Sequence, residues 1–153
     1  MDDERSKKMN ETIRKFGYPQ TEIASYEHWV VLLRPAQVTL GSLILAAKSE
    51  ATAFPDLPPA AFAELAQVTR DIESTLRTVV DYEKINYLML MMVDPHVHFH
   101  VFPRYAGERE IRGVNVADAG WPKTPDLGSA HALDEAQIHR LVDCLKETWP
   151  TRG

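Results

Sequence analysis

Cysteine is almost absent from this chain: Cys144 is the only one in 153 residues. A single thiol excludes an intrachain disulfide, a CxxC redox pair and a cysteine-built zinc module. Its setting, Leu141-Val142-Asp143-Cys144-Leu145, reads as helix, where a buried or half-buried thiol fits better than a reactive one. Long apolar runs are missing as well. No stretch approaches the ~18 residues that a membrane span requires, and the first residues are charged, unlike a secretory leader. The expectation is a cytoplasmic protein without membrane contact. Positive charge is in deficit, with 17 Lys and Arg against 22 Asp and Glu and a formal charge of -5. That argues against nucleic acid as a partner, which needs a basic footprint. A small phosphate-bearing ligand stays compatible, because a local positive pocket can sit in an acidic surface. There is also no repeat, linker or low-complexity tract.

What is present divides into readable segments. Residues 4–16 carry Met9, Ile13 and Phe16 as a weak apolar stripe, which predicts a short surface helix in an N-terminal extension over 1–20. Gly17, Pro19 and Gln20 end it. His28 to Arg34 and Thr39 to Ala47 read as strands, paired as a hairpin through an irregular connection at Pro35-Ala36-Gln37. Pro58 and Pro59 suit the start of a helix over 60–80, with Phe62, Leu65, Val68, Ile72 and Leu76 inward. Glu64, Arg70, Asp71 and Glu73 would take its wetter side. Lys84 to Val93 is almost continuously apolar and predicts a central strand covered on both sides. Asp94-Pro95 breaks it, and so short a join to the next strand predicts an antiparallel pair. After Arg104 the chain reads as irregular up to a last helix over 134–148, with Ile138, Leu141, Val142 and Leu145 inward. The order predicts one α+β domain over 21–150: an antiparallel sheet, a long helix after the first strand pair, and a C-terminal helix.

Chemistry concentrates in Asp94-Pro95-His96-Val97-His98-Phe99-His100-Val101-Phe102-Pro103-Arg104. On a strand, the period of two places His96, His98 and His100 on one face and Val97, Phe99 and Val101 on the other. A neutral imidazole can attack phosphorus and form a phosphoramidate, provided its far nitrogen has an acceptor and nearby donors hold the phosphate oxygens. His98, flanked on both sides, is the natural attacker; His96 and His100 would orient and donate, and Arg104 could add charge. The rival is a metal site with Asp94 or Asp118 completing the ligands. Outer histidines roughly 13 Å apart at the backbone are awkward for one ion. A purely structural use of the three rings is the third possibility.

The same residues resemble the signature of the histidine triad family: His, apolar, His, apolar, His, then two apolar residues. Pro95 and the Pro103-Arg104 pair resemble the branch that splits dinucleoside polyphosphates. The likeness extends over residues 28–104, where a strand pair with Gly41 and a long helix precede the triad. It implies a compact α+β domain, commonly a homodimer whose central strands join into one sheet. The implied activity is hydrolysis or transfer at the α-phosphorus of a small, usually adenine-containing nucleotide. His98 would be the nucleophile, His96 and His100 its supports, with no metal in the site and magnesium only as a counter-ion of the substrate. Three positions depart from the family pattern. Ser42 stands where many relatives have a supporting histidine, Arg34 where an acidic or amide residue holds the ribose, and no glycine- and glutamine-containing loop precedes Pro95. A nucleotide-binding sensor or scaffold with weak turnover is the alternative these departures motivate.

Other polar residues are candidates by position. Gln37, Ser42 and Asn86 could contact ribose or phosphate, each balanced against a plain turn or edge hydrogen bond. Tyr26, His28 and Trp29 could form a stacking platform, although core packing suits Trp29 better. Trp121, among Gly and Pro residues, could close over a base, meet a second subunit or cover the sheet. His131 and His139 read as surface residues, and Met89, Met91 and Met92 as apolar filler.

Overall fold

Every position of Trp29–Leu33 (β2) and of Leu43–Ala47 (β4) is apolar and buried, so both faces of the sheet they build must be covered. The computed structural model, which describes residues 9–151, shows how. Glu22–Ser25 (β1), β2, β4, His98–Arg104 (β6) and Lys84–Leu88 (β5) form one antiparallel sheet in the order β1-β2-β4-β6-β5. Pro59–Val79 (α2) and Glu135–Thr148 (α3) supply the cover on one face. There Val31, Leu33, Leu43, Leu45 and Val101 pack with Val68, Ile72, Leu76, Leu141 and Leu145.

The opposite face carries Val30, Leu32, Ile44 and Ala46, and it is covered by a five-residue helix, Glu11–Lys15 (α1), through Ile13 and Tyr18. A surface helix was the expectation here; the structure buries Thr12 and Ile13 completely. Asn10 is the reason. Its Oδ1 caps Ile13 N–H, and its Nδ2 donates to the carbonyls of Ala47 and Ser49 at 2.9 and 3.0 Å. One side chain therefore caps α1 and pins it to the end of β4. The expected helical residues 4–8 lie outside the described part of the chain.

Several boundaries fall where the sequence places them. β2 and β4 pair in antiparallel register, Leu32 opposite Ile44. α2 starts on Pro59 after Pro58, and α3 carries a reciprocal capping box between Asp134 and Gln137. Gly41 has φ of 90° in the turn before β4, and a Cβ there would stand 2.9 Å from Val80 Cγ2. Only glycine satisfies both demands.

Other expectations are corrected. The strand from Lys84 stops at Leu88, and Met91 takes a φ of 51° as the chain leaves the sheet. β5 is an edge strand of intermediate burial rather than a central one. Asp71, expected on the wetter side of α2, is buried and accepts from Tyr26 Oη at 2.7 Å and Gln67 Nε2 at 2.9 Å. Phe62, expected inward, is exposed. The stretch after Arg104 holds a hairpin, Glu108–Ile111 (β7) with Val114–Ala117 (β8), and a two-residue bridge between Ala36–Gln37 (β3) and His131–Ala132 (β9). In the hairpin turn Arg112 and Gly113 both have positive φ, which suits the twist of two paired strands.

Candidate active site

In an antiparallel pair, residues directly opposite each other face the same way. The register sets His100 opposite Ile44 and His98 opposite Ala46. Both imidazoles therefore project on the face that α1 covers, while Phe99 and Val101 turn toward the core, as the alternation predicts. His96 differs. It stands just before β6, in the connection, although its ring also meets α1, through Thr12.

The hydrogen bonds assign a state to each ring. His98 Nδ1 lies 2.7 Å from the carbonyl oxygen of His96. A carbonyl can only accept, so Nδ1 carries the proton and, in the neutral ring, Nε2 keeps the lone pair. His100 is the reverse. Arg34 Nε donates to its Nδ1 at 3.2 Å, so Nδ1 holds the lone pair and Nε2–H is free to donate. Burial, then the positive charge of Arg34 and the neighbouring His98, push the His100 pKa down to about 4, against a smaller opposing pull from Asp94. His96 Nε2 is 3.1 Å from Glu50 Oε2 and its Nδ1 is 3.0 Å from Thr12 Oγ1. The Thr12 oxygen also accepts the backbone N–H of His96 at 3.3 Å.

Aromatic rings close the site. Phe16 places its centroid 5.7 Å from that of His98 and 5.9 Å from that of His100. The rings of His98 and His100 are 5.2 Å apart, and Phe102 stacks beyond His100 at 6.1 Å. His98 is only 2 % exposed. The nucleophilic candidate is buried among aromatic rings, with Nδ1 committed to a carbonyl.

The family model for the HIT domain matches residues 19–107, more than half of the chain. The chain belongs to the HIT family. Solved structures agree on the fold. A histidine triad protein from Sinorhizobium meliloti 1021 superposes with a TM-score of 0.71 at 21% identity, covering 92% of this chain and 95% of that one. One from Bradyrhizobium japonicum gives 0.69 at 19% identity, over 92% and 96% of the two chains. One from Marinobacter aquaeolei VT8 gives 0.66 at 19%, over 84% and 87%. No curated protein sequence matches the chain closely enough to count as a relative.

Against the HIT pattern, the remaining candidates separate into two groups. Arg34 reaches the triad, crossing β4 to bond His100. Gln37 and Ser42 do not. Gln37 is fully buried, donates to the carbonyls of Arg34 and Ser42, and accepts from the N–H groups of Gly41 and Ser42. Ser42 Oγ donates to Thr39 O at 2.6 Å and accepts Thr39 N–H. Both side chains spend their hydrogen bonds on the turn before β4, leaving nothing for a ligand. Arg104 is likewise committed. It is 3 % exposed, forked onto Asp118 at 2.7 and 3.0 Å, and donates to Asn86 Oδ1 and Lys123 O. Asp118, weighed as a metal ligand, is thereby a structural counter-ion, and Asp94 pairs with Lys15 at 2.7 Å. Among the described residues no three His, Cys, Asp or Glu side chains stand close enough to hold a metal ion.

Asn86 and Arg104 instead line a groove of about 650 Å³ at the β5 edge with Lys84, Trp121 and Lys123. Trp121 thus borders the sheet edge, and the register puts Asn86 and Arg104 on the same face as His98 and His100, with Leu88 of the groove directly opposite His100. The join before the triad, expected to be short, runs over residues 89–97 because β5 ends at Leu88. It contains neither Gly nor Gln, and Met92 is 83 % exposed in it. Sequence reasoning missed Thr12, Phe16 and Glu50 as neighbours of the triad. The one signal available for Phe16 was its membership of the apolar stripe with Ile13.

Proposed function

We propose that the protein is a nucleotide hydrolase or nucleotidyltransferase acting at the α-phosphorus through a nucleotidyl-His98 intermediate. The observation that carries this is the His98 Nδ1–H donating to the His96 carbonyl, which leaves Nε2 as a lone-pair nucleophile. Nε2 attacks phosphorus, the N–P bond forms, and the bond to the leaving group breaks with its electrons departing on the leaving group. Water or another acceptor then attacks phosphorus, transfers its proton to bulk solvent, and the N–P bond electrons return to Nε2. His100 presents a neutral Nε2–H as a fixed donor to the phosphoryl oxygens. Because it stays neutral, a leaving group stable as an anion, such as a phosphate chain, suits the site better than one needing a proton.

His96 acts through its carbonyl, with its ring anchored between Thr12 and Glu50. Phe16 walls the cleft from the α1 side, as an apolar surface beside the nucleotide. Dinucleoside polyphosphates and related adenylates are the proposed substrates, with magnesium as their counter-ion and a cytoplasmic setting. The free edge of β5 is where a second copy would extend the sheet into a homodimer.

The test is His98→Ala, followed by turnover of an adenosine phosphoramidate and a diadenosine polyphosphate. The expected outcome is a folded protein with no turnover and no covalent adduct by intact-mass measurement, while wild type forms a nucleotidyl adduct on the His98 peptide. Undiminished turnover in the variant would sink the proposal.

A further inference from the structure

Among the described residues Arg34 is the one cation that touches the triad, and its charge has no carboxylate partner. Among the described residues no carboxylate lies within ion-pair distance of it, whereas buried Arg104 has Asp118. Its guanidinium is half-buried, spends Nε–H on His100 Nδ1 and one Nη1–H on Ala36 O at 2.6 Å, and has Phe102 5.7 Å from its centre. Neither acceptor is an anion. The remaining N–H bonds of the fork, chiefly those of Nη2, have no acceptor of their own. Burial already disfavours the charged form. A partly buried cation without a counter-charge carries a desolvation cost, which a ligand that completes the pairing offsets.

Position adds the second constraint. β2 and β6 are separated by β4, so their backbones lie about 9.5 Å apart. Arg34 spans that gap to reach His100. Its charge therefore falls at His100, two residues along β6 from the attacking His98, beside the phosphoryl group being transferred rather than on it. We infer that Arg34 recognises a second anionic group carried by the substrate beside the reacting phosphoryl, so that the site selects nucleotides with at least two separate anionic groups. The inference rests on the nucleotidyl function proposed above. The second group has two chemical sources: a ribose phosphate, or the phosphate chain of the leaving group. In either case the planar fork grips two oxygens at once, which a lysine cannot reproduce.

The experiment is calorimetric binding of four ligands that need no turnover: adenosine 5'-monophosphate, adenosine 5'-diphosphate, and adenosine 2',5'- and 3',5'-bisphosphate. They are titrated into wild type, Arg34→Gln and Arg34→Lys, with thermal melts confirming that each variant is folded. At least one ligand with a second anionic group should bind wild type about tenfold or more tighter than the monophosphate. Arg34→Gln should erase that advantage and Arg34→Lys should keep part of it, with the wild-type advantage shrinking as salt rises. An advantage confined to the diphosphate assigns the leaving-group chain; one confined to a bisphosphate assigns the ribose. Equal affinity for all four in wild type, or an advantage that survives Arg34→Gln, overturns the inference. Adduct formation at His98, measured separately, reports on the underlying function and can succeed while this fails.

Discussion

His100 should remain neutral far below the pH at which a free imidazole charges, and Arg34 should be one of its two main causes. Its pKa falls from the ordinary 6.5 to about 4. Burial is the larger cause and the Arg34 charge the next. The gap of about 2.5 pH units, at about 1.36 kcal/mol per unit, sets a ceiling of about 3.4 kcal/mol. Water at the mouth of the cleft screens part of that. Between pH 6.5 and 4 the unfolded chain binds a proton at this site that the folded chain refuses. Stability therefore rises with pH across this window and is lost as pH falls through it. The assay is an ¹⁵N-detected titration of the imidazoles from pH 4 to 8, which reads protonation and tautomer together. Wild-type His100 should show a lone-pair Nδ1 and a protonated Nε2, with no midpoint above pH 5. Arg34→Gln should move the midpoint upward yet leave it below 6.5, because burial persists. A wild-type midpoint near 6.5, or one unmoved by the substitution, would refute the electrostatic reasoning.

Two further outcomes test the scaffold that presents the site. Asp118→Ala leaves the Arg104 guanidinium buried without its carboxylate, and removes the acceptor for Tyr105 and Gly120 N–H. The expected loss is about 3–5 kcal/mol, or a melting temperature lower by roughly 6–20 °C in a chain of this size, with urea denaturation as the check; a loss under about 1 kcal/mol would contradict the buried-pair account. Gly41→Ala combines left-handed backbone strain of about 1–2 kcal/mol with a clash against Val80 and Leu76 costing about 1–3 kcal/mol. The same denaturation should show a loss of about 2–5 kcal/mol, and a neutral result would mean the turn rearranges.

Legibility from the sequence followed sequence distance. β6, α2 and α3 announce themselves through local periodicity and flanking prolines. β1 and the β7–β8 hairpin were missed because four-residue strands are too short to show a period, and β1 is interrupted by a register shift between Glu22 and Ala24. Lys84 to Val93 misled for the opposite reason. An unbroken apolar run looks like one buried strand, and nothing local shows that the chain turns out at Met89. The site divides the same way. That His98 and His100 share one face follows from their spacing, but how each ring is held does not. Arg34 meets His100 from 66 positions away, and Thr12 meets His96 from 84. Gln37 and Ser42 were plausible ligand contacts by residue type, and only the turn geometry shows their hydrogen bonds already spent.

The docking of α1 also dictates an order of assembly. A helix of five residues is far below the ~12–15 that persist alone in water, so this segment gains its shape only from its seat. That seat comprises the end of β4, 37 residues downstream of Asn10, and the His96 backbone, 84 residues downstream of Thr12. During synthesis the segment leaves the ribosome early and waits, unstructured, until β6 has been made and has zipped onto β4. Loops of that length close slowly and late. The wall beside His98 is thus built by the earliest of the described residues in one of the last steps of folding. Until that step the face that carries His98 and His100 is an open apolar sheet.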